Sequence, residues 1–212
     1  MAYFIVEQVS IIGITGQICS GKSTFVGYLK DHYKASVIEI DRLNREVLNR
    51  KEVQTEIEKK FGNSVFTYDE NTHQRYLDKT KMKDIIFSDV KKRRQLERIT
   101  HFRVFLSFFV VLFREKFIKR RKYVFVENAI LLGFKIFKML CKKIISVCVK
   151  DNEILIERII RRDQCSRGTA ENILKNQMKL EDFVKQSDYV IYNEESESDF
   201  YDEIENTLRH LH

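Results

Sequence analysis

The sequence predicts an α/β fold in which a mainly parallel, five-stranded sheet is flanked by helices. Short apolar runs alternate with longer segments whose apolar residues recur at helical spacing, a pattern typical of βαβ units. A glycine-rich turn lies between the first apolar run and the first helix. The length of 212 residues suits one compact domain with insertions.

Five short apolar runs are the predicted strands, at residues 9–14, 35–40, 123–126, 143–149 and 189–192. The predicted helices comprise residues 22–34, much of 42–121, 151–163, 171–185 and 203–211. Three places are predicted as loops or turns: residues 62–74, Gly168 and the acidic run 194–199. The apolar run 104–113 falls short of the roughly 20 residues that a membrane span needs, so it is predicted as a buried helix.

The composition indicates a folded, basic protein. Hydrophobic residues make up 43% of the chain, enough for a core, and the formal net charge is +7. That charge suits nucleic acid, acidic lipid or polyphosphate metabolites, although a generally basic surface explains it equally well. The four cysteines show no CxxC spacing, which argues against zinc and fits reduced thiols. Residues 1–10 do not resemble a signal peptide, and we expect a cytoplasmic protein.

Residues 16–23 match the phosphate-binding motif G-x-x-x-x-G-K-[ST] at every fixed position. Gly16 and Gly21 permit a backbone whose N–H groups point at phosphate oxygens, and the following helix adds its positive end. Lys22 is expected to reach the β and γ phosphates, and the Ser23 hydroxyl to bind Mg²⁺. The remaining predicted ATP-binding residues of this segment are Gln17, Ile18, Cys19, Ser20 and Thr24. Cys19 allows two interpretations. Its thiol has a lowered pKa, or, as we favour, Cys19 only occupies one of the variable positions of the motif.

A phosphate loop alone does not identify an activity, because GTPases, ATPase motors and metabolite kinases share it. The sequence lacks an NKxD signature and a long apolar strand ending in Asp-Glu, which favours a small-metabolite kinase. A nucleotide-binding regulatory or RNA-binding protein remains an alternative because of the basic clusters at residues 91–94 and 119–122. Those clusters lack regular aromatic interleaving, so nucleic acid is the weaker interpretation.

The order of several motifs resembles the dephospho-coenzyme A kinase family over residues 12–193. The matching segments are Gly13-Ile14-Thr15-Gly16 with Ser20-Gly21-Lys22-Ser23-Thr24, then Val37-Ile38-Glu39-Ile40-Asp41 with Arg45 and Val47, Leu96-Glu97-Arg98-Ile99-Thr100-His101, Glu157-Arg158 with Arg161-Arg162-Asp163 and Gln177, and Ser187-Asp188-Tyr189-Val190-Ile191-Tyr192-Asn193. The chain departs from the family pattern at Gln17, Phe102, Ala129, Gly133 and Leu155.

The resemblance implies a P-loop kinase fold that uses ATP and Mg²⁺ to phosphorylate the 3′-hydroxyl of dephospho-coenzyme A. It implies a core at residues 9–41, 122–157 and 178–212, a helical acceptor-binding insertion at about 42–121 and a helical lid at about 158–177. Another P-loop nucleoside, nucleotide or metabolite kinase, or a non-catalytic nucleotide-binding protein, is the alternative. We expect no membrane partner.

Several further residues are candidates for the reaction. Asp41 follows a predicted strand and is either a helix N-cap or, as the resemblance favours, the carboxylate that accepts the hydroxyl proton. Arg45, one helical turn later, binds a substrate phosphate or pairs with Asp41. His101 binds the acceptor or is a structural histidine at a helix start. Glu127, at a strand end, holds Mg²⁺ through water or is an ordinary acid.

Three arginines are predicted to share one face of a helix. Arg158, Arg161 and Arg162 stand at i, i+3 and i+4, either as a solvated basic face or as a lid that neutralises charge on the transferred phosphoryl group. The resemblance favours the lid, with Arg162 catalytic and Arg158 binding ATP. It also places Asn193 at the ATP site.

Overall fold

The computed structural model describes residues 10–69, 74–194 and 196–211. These residues form two units. The first, here called the sheet unit, comprises the described residues up to Ile38 and from Glu115 onward. The second, the helical unit, comprises the described residues of Glu39–Arg114. The predicted acceptor-binding insertion overlaps the helical unit, and its role stays a prediction.

In chain order the strands are β1 (Ser10–Gly16), β2 (Ser36–Glu39), β3 (Phe66–Asp69), β4 (Gln74–Leu77), β5 (Tyr123–Glu127), β6 (Lys143–Cys148) and β7 (Tyr189–Tyr192). The α-helices are α1 (Lys22–Tyr33), α2 (Ile40–Leu48), α3 (Lys51–Phe61), α4 (Lys79–Ser88), α5 (Val90–Phe113), α6 (Lys135–Leu140), α7 (Asn152–Asp163), α8 (Arg167–Lys175), α9 (Leu180–Gln186) and α10 (Glu197–Arg209). Short 3₁₀ segments occupy Asn63–Val65 and Leu131–Gly133, and Arg114–Ile118 is π-helical.

The principal sheet has five strands in the order β2-β5-β1-β6-β7. The central strand β1 pairs in parallel with β5 and β6, and β6 pairs in parallel with β7. Strands buried on both faces read as continuous apolar runs, which is why they were recognisable in the sequence. The predicted α/β fold with five strands is therefore confirmed; Val9, predicted in the first strand, lies outside the described residues.

Helices α1 and α10 pack against the sheet through apolar residues one turn apart. In α1 the buried residues Phe25 and Leu29 face the sheet, and in α10 Phe200, Ile204 and Leu208 do the same. They surround Ile12, Ile14, Ile145, Val147 and Ile191, which are at most 1% exposed. This core fixes β1 and the start of α1, the two elements that carry the glycine-rich loop.

The helical unit has its own core and polar contacts. Val47, Val53, Ile57 and Phe108 are fully buried there. Arg103 forms an ion pair with Glu56 at 2.6 Å, joining α5 to α3. Among the described residues, no helix is both long enough and apolar enough to cross a membrane.

Three sequence predictions about local structure are wrong. The predicted loop at 62–74 contains regular structure in its described part: Phe66–Asp69 form β3, which pairs antiparallel with β4 so that Phe66 lies opposite Leu77, while residues 70–73 lie outside the described residues. Gly168 lies inside α8, and the predicted helix at 171–185 is two helices, α8 and α9. The left-handed residue that ends α7 is Gln164, at φ 49°.

The C-terminal helix begins earlier than predicted because the acidic run supplies its cap. Ser196 and Asp199 form a reciprocal capping box at the start of α10, so the last part of residues 194–199 is helical. The run 104–113 is helical as predicted but buried on one face only. Val104, Phe108 and Leu112 are buried, whereas Val110 is 68% exposed.

Candidate functional site

The glycine-rich loop connects β1 to α1 through a backbone that only glycine can adopt at its first position. Gly16 has φ 144°, and a Cβ there would lie 2.0 Å from the Val147 carbonyl oxygen. Gly21 has φ 103°, and a Cβ there would lie 2.3 Å from Nδ2 of Asn193. Because α1 begins at Lys22, the loop delivers the chain directly to a helix N-terminus.

Gln17 anchors the loop to the end of β6. Its side chain is 2% exposed, and its Oε1 accepts a hydrogen bond from the Val149 N–H at 2.7 Å. Its own backbone N–H donates to the Val147 carbonyl at 3.2 Å. The glutamine that departs from the family pattern therefore satisfies a buried backbone donor.

Side chains from three distant segments also hold the loop. Gln177 Oε1, between α8 and α9, accepts from the Ile18 N–H at 2.9 Å. Asn193 Nδ2, just after β7, donates to the Ser20 carbonyl at 2.8 Å. Arg158 of α7 donates to the Asn193 carbonyl at 3.1 Å and to the Cys19 carbonyl at 3.5 Å. The structure thus brings Arg158 and Asn193 to the loop.

Lys22 folds back over the loop, while the next two residues face solvent. Its Nζ donates to the carbonyls of Gly16 at 3.1 Å and Gln17 at 2.7 Å. Ser23 and Thr24 are exposed in the first turn of α1. Among the described residues, Ser20 Oγ is a buried side-chain atom without a hydrogen-bond partner.

Cys19 adopts a left-handed conformation, with φ 56°, in the middle of the loop. Burial raises the pKa of its thiol, and this outweighs the opposing effect of the neighbouring Arg162. The interpretation with a lowered pKa is therefore wrong, and the thiol is protonated at neutral pH.

The arginines of α7 differ in their surroundings. Arg158 is half-buried against the loop, whereas Arg161 and Arg162 are exposed. Arg162 makes two hydrogen bonds to the carboxylate of Asp163, at 2.7 and 2.8 Å. This pairing raises the pKa of Arg162 and lowers that of Asp163, so both stay ionised at neutral pH. Arg158 and Arg162 are one turn apart on α7, as predicted.

Three candidate acceptor-side residues lie in the helical unit. Asp41 is the second residue of α2, whose N-cap is Glu39, so the interpretation of Asp41 as a cap is wrong. Asp41 and Arg45 are both exposed, while Ile40, Leu43 and Val47 form the buried face of α2. His101 is exposed in the interior of α5, which begins at Val90, so the helix-start interpretation is also wrong.

Glu127 ends β5 as predicted and is half-buried. It lies opposite Ile14 of β1, two residues before the loop begins. Within the described ranges, no cluster of three or more His, Cys, Asp or Glu residues could hold a metal ion. A carboxylate and a serine hydroxyl are nonetheless oxygen ligands of the kind that Mg²⁺ takes beside nucleotide phosphates.

Sequence reasoning missed the contribution of Gln177 to this site. In the sequence Gln177 is only a motif position, because the sequence does not show which backbone group a glutamine side chain contacts. Gln17 was counted as part of the loop, but its contact with Val149 had no sequence signal.

Sequence comparisons match the chain to one family of known proteins. The family model described as dephospho-CoA kinase matches residues 10–199. A dephospho-CoA kinase from Fusobacterium nucleatum is 34% identical over 198 residues, which cover 93% of this chain and 96% of that protein.

Solved structures share the fold over almost the whole chain. The protein TT1252 from Thermus thermophilus has a TM-score of 0.77 and 26% identity, covering 96% of this chain and 98% of that one. The dephospho-CoA kinase from Campylobacter jejuni has a TM-score of 0.67 and 23% identity, covering 95% and 96%. Together with the family match, these findings show that the chain belongs to the dephospho-CoA kinase family.

Proposed function

We propose that this chain transfers the γ-phosphoryl group of ATP to the 3′-hydroxyl of dephospho-coenzyme A, giving coenzyme A and ADP in the last step of coenzyme A biosynthesis. The observation that carries the proposal is a formed phosphate loop inside a family match that spans residues 10–199. Phosphoryl transfer depends mainly on positioning and charge stabilisation, so a pre-formed phosphate cradle is its central requirement.

In this proposal the loop residues 16–24 bind the ATP phosphates. Backbone N–H groups donate to phosphate oxygens, and the unsatisfied Ser20 hydroxyl becomes an additional donor. Lys22 leaves its two carbonyl partners for the β and γ oxygens. Arg158 and Asn193, which already contact the loop, hold it in shape around the nucleotide.

Ser23 would hold Mg²⁺ through its exposed hydroxyl, and Glu127 would hold it through water. When bound, Mg²⁺ neutralises negative charge on the phosphates. Mg²⁺ usually takes only one or two protein ligands in such sites, which fits the small number of oxygen donors near the loop.

On the acceptor side, Asp41 orients the ribose hydroxyl and accepts its proton, because a hydroxyl is a poor nucleophile while it keeps that proton. Arg45 and His101 bind the acceptor. Arg162 neutralises charge on the transferred group, and the exposed carboxylate of Asp163 holds the guanidinium before the substrates arrive. The family resemblance supports these roles. Residues 42–121 form the acceptor region and residues 158–177 form the lid. The cytoplasmic location of the protein stays a prediction.

Release of ADP from Mg-ATP tests the proposal directly. The full chain should form ADP with dephospho-coenzyme A and much less with adenosine, shikimate or nucleoside monophosphates. Phosphorus NMR of the product should show a new 3′-monoester. Equal turnover of a control acceptor would indicate another metabolite kinase. ATP binding without turnover of any acceptor would indicate a non-catalytic protein.

A further inference from the structure

Helix α5 carries a second apolar face in addition to the one that packs in the helical unit. Phe102, Leu106, Val110 and Phe113, here called the α5 stripe, follow each other at spacings of three or four residues and so share one face. They are 65%, 48%, 68% and 57% exposed, respectively. Contiguous exposed apolar patches on folded proteins usually mark an interaction surface.

A different face of α5 supplies its buried residues within the helical unit. Val104, Phe108 and Leu112 already form the buried face of α5. Arg103 forms an ion pair with Glu56. The Ser107 hydroxyl accepts a hydrogen bond from Arg50 at 2.8 Å. Aromatic rings extend the stripe at its edge, where the rings of half-buried Phe105 and Phe109 meet with centroids 4.6 Å apart.

The charge of α5 indicates what kind of partner the stripe suits. The helix contains six lysine and arginine residues and one acid, Glu97, which lies 3.6 Å from Arg93. Arg98 is exposed one turn before Phe102, and exposed Arg114 directly follows Phe113. Cations therefore stand at both ends of the apolar stripe.

A second copy of this chain fits that arrangement poorly. Antiparallel pairing of two stripes would bring Arg98 of each copy towards Arg114 of the other, and parallel pairing would align like cations along the whole helix. An anionic bilayer surface suits both features, since apolar side chains enter the acyl boundary while cations meet lipid phosphates. At about 1.5 Å per residue the stripe is only about 17 Å long, so it would lie in the plane of the surface.

We propose that the α5 stripe docks this protein onto bilayers that carry anionic lipid. Docking is peripheral, through one helix face, and it replaces the expectation of no membrane partner. The stripe lies within the proposed acceptor region, but the docking proposal rests on its exposure and on the charge of α5 rather than on any substrate contact.

Vesicle co-sedimentation of the full chain tests the proposal. At low salt the protein should sediment with phosphatidylcholine vesicles containing phosphatidylserine, and bind less to phosphatidylcholine alone or at high salt. The double variant Val110→Gln, Phe113→Gln should lower the partition coefficient about tenfold or more, since two apolar side chains no longer leave water. Met139→Gln, which changes a residue 84% exposed on α6, is the matched control and should bind like the parent.

Thermal unfolding checks that the double variant folds, and Leu106→Gln provides a second, milder variant. Turnover is not used as the control, because the stripe lies within the proposed acceptor region at residues 42–121; the unfolding midpoint of each variant and the vesicle binding of Met139→Gln serve instead. The proposal is overturned if the parent does not sediment with anionic vesicles, or if the double variant binds them equally well. A third result would also overturn the proposal: the parent is a dimer, this dimer does not bind vesicles, and the double variant is a monomer.

Discussion

The phosphate loop of the sheet unit is held by side chains from three distant segments, whereas Asp41 and Arg45 of the helical unit project from the exposed face of one nine-residue helix. Buried hydrogen bonds that converge on a loop fix its geometry before any ligand arrives. Exposed side chains on a helix keep their rotamer freedom until a substrate orders them. The two regions should therefore respond differently to substitution: the loop through stability and ATP affinity, the helix face through turnover.

Gly16→Ala should have the largest effect, because it combines a strained φ with a Cβ 2.0 Å from the Val147 carbonyl oxygen, a rigid backbone atom. We expect a loss of about 2–4 kcal/mol in unfolding free energy and no measurable ATP binding. Chemical denaturation and nucleotide titration measure both. Gly27→Ala is the control, because a Cβ there meets nothing within 4 Å. Equal stability of the two variants would contradict a loop that is fixed by its backbone.

Asp41→Asn should lower kcat by about 100-fold or more if Asp41 accepts the hydroxyl proton. The unfolding midpoint and ATP affinity should stay unchanged, because the side chain is exposed in α2. Steady-state kinetics with both substrates separates these quantities. Glu46→Gln, an exposed acid of the same helix, is the control and should retain turnover. A folded Asp41→Asn protein with near-normal turnover would remove the proposed role.

Gln177→Ala should raise KM for ATP about fivefold while kcat at saturating ATP changes little, since one net hydrogen bond contributes about 1 kcal/mol. The bond in question holds the Ile18 N–H at 2.9 Å. Gln177→Glu keeps an acceptor oxygen but adds a negative charge beside the phosphates, so it should not restore the affinity for ATP. Gln186→Ala removes an acceptor that serves Lys138 instead, and it should leave KM unchanged. If both alanine variants behave alike, Gln177 has no specific role at the loop.

The smallest expected effect is on the pH dependence of stability, and it involves a polar cluster between α1 and α10. Tyr28 and Tyr33 each donate a hydrogen bond of 2.6 Å to Glu205, and these bonds lower the pKa of Glu205 below 4.5. This contribution to stability is therefore present above the unfolded-state pKa and is lost as pH falls through the lowered folded-state value. The same bond raises the pKa of Tyr28 to about 12 from 10.0, so stability also falls as pH rises through that interval.

Glu205→Gln should flatten both limbs of the stability–pH profile. Urea denaturation between pH 3 and pH 12 measures this, within the interval where the two groups titrate. ATP affinity at neutral pH should not change, because the cluster lies outside the loop contacts. An unaltered profile in the variant would mean that other groups determine the pH dependence.

Much of the sheet unit was predictable because its signals are local. The apolar runs gave all five strands of the principal sheet, and the spacing of Gly16, Gly21 and Lys22 gave the loop. The hairpin β3–β4 was missed because its strands are short and mostly polar, so partner pairing rather than apolar alternation defines them.

The contacts that hold the loop were not predictable in the same way. Gln177 and Ile18 are 159 positions apart, and nothing near either residue indicates the other. The sequence indicates that a glutamine side chain will make polar contacts. Which backbone group it contacts depends on how the strands and helices pack. For Asp41 the sequence correctly indicated the end of a strand and the start of a helix, but not the cap, which is Glu39. The proposed role of Asp41 rests on resemblance rather than on any contact.

Gln17 has an evolutionary consequence. A glycine at this position would leave the buried Val149 N–H without the acceptor that Gln17 provides at 2.7 Å. Gln17→Gly alone would therefore lower the stability of this chain, because the two positions are coupled through that hydrogen bond. Position 17 is therefore coupled to position 149. Related sequences with another residue at position 17 should also differ in the residues around position 149.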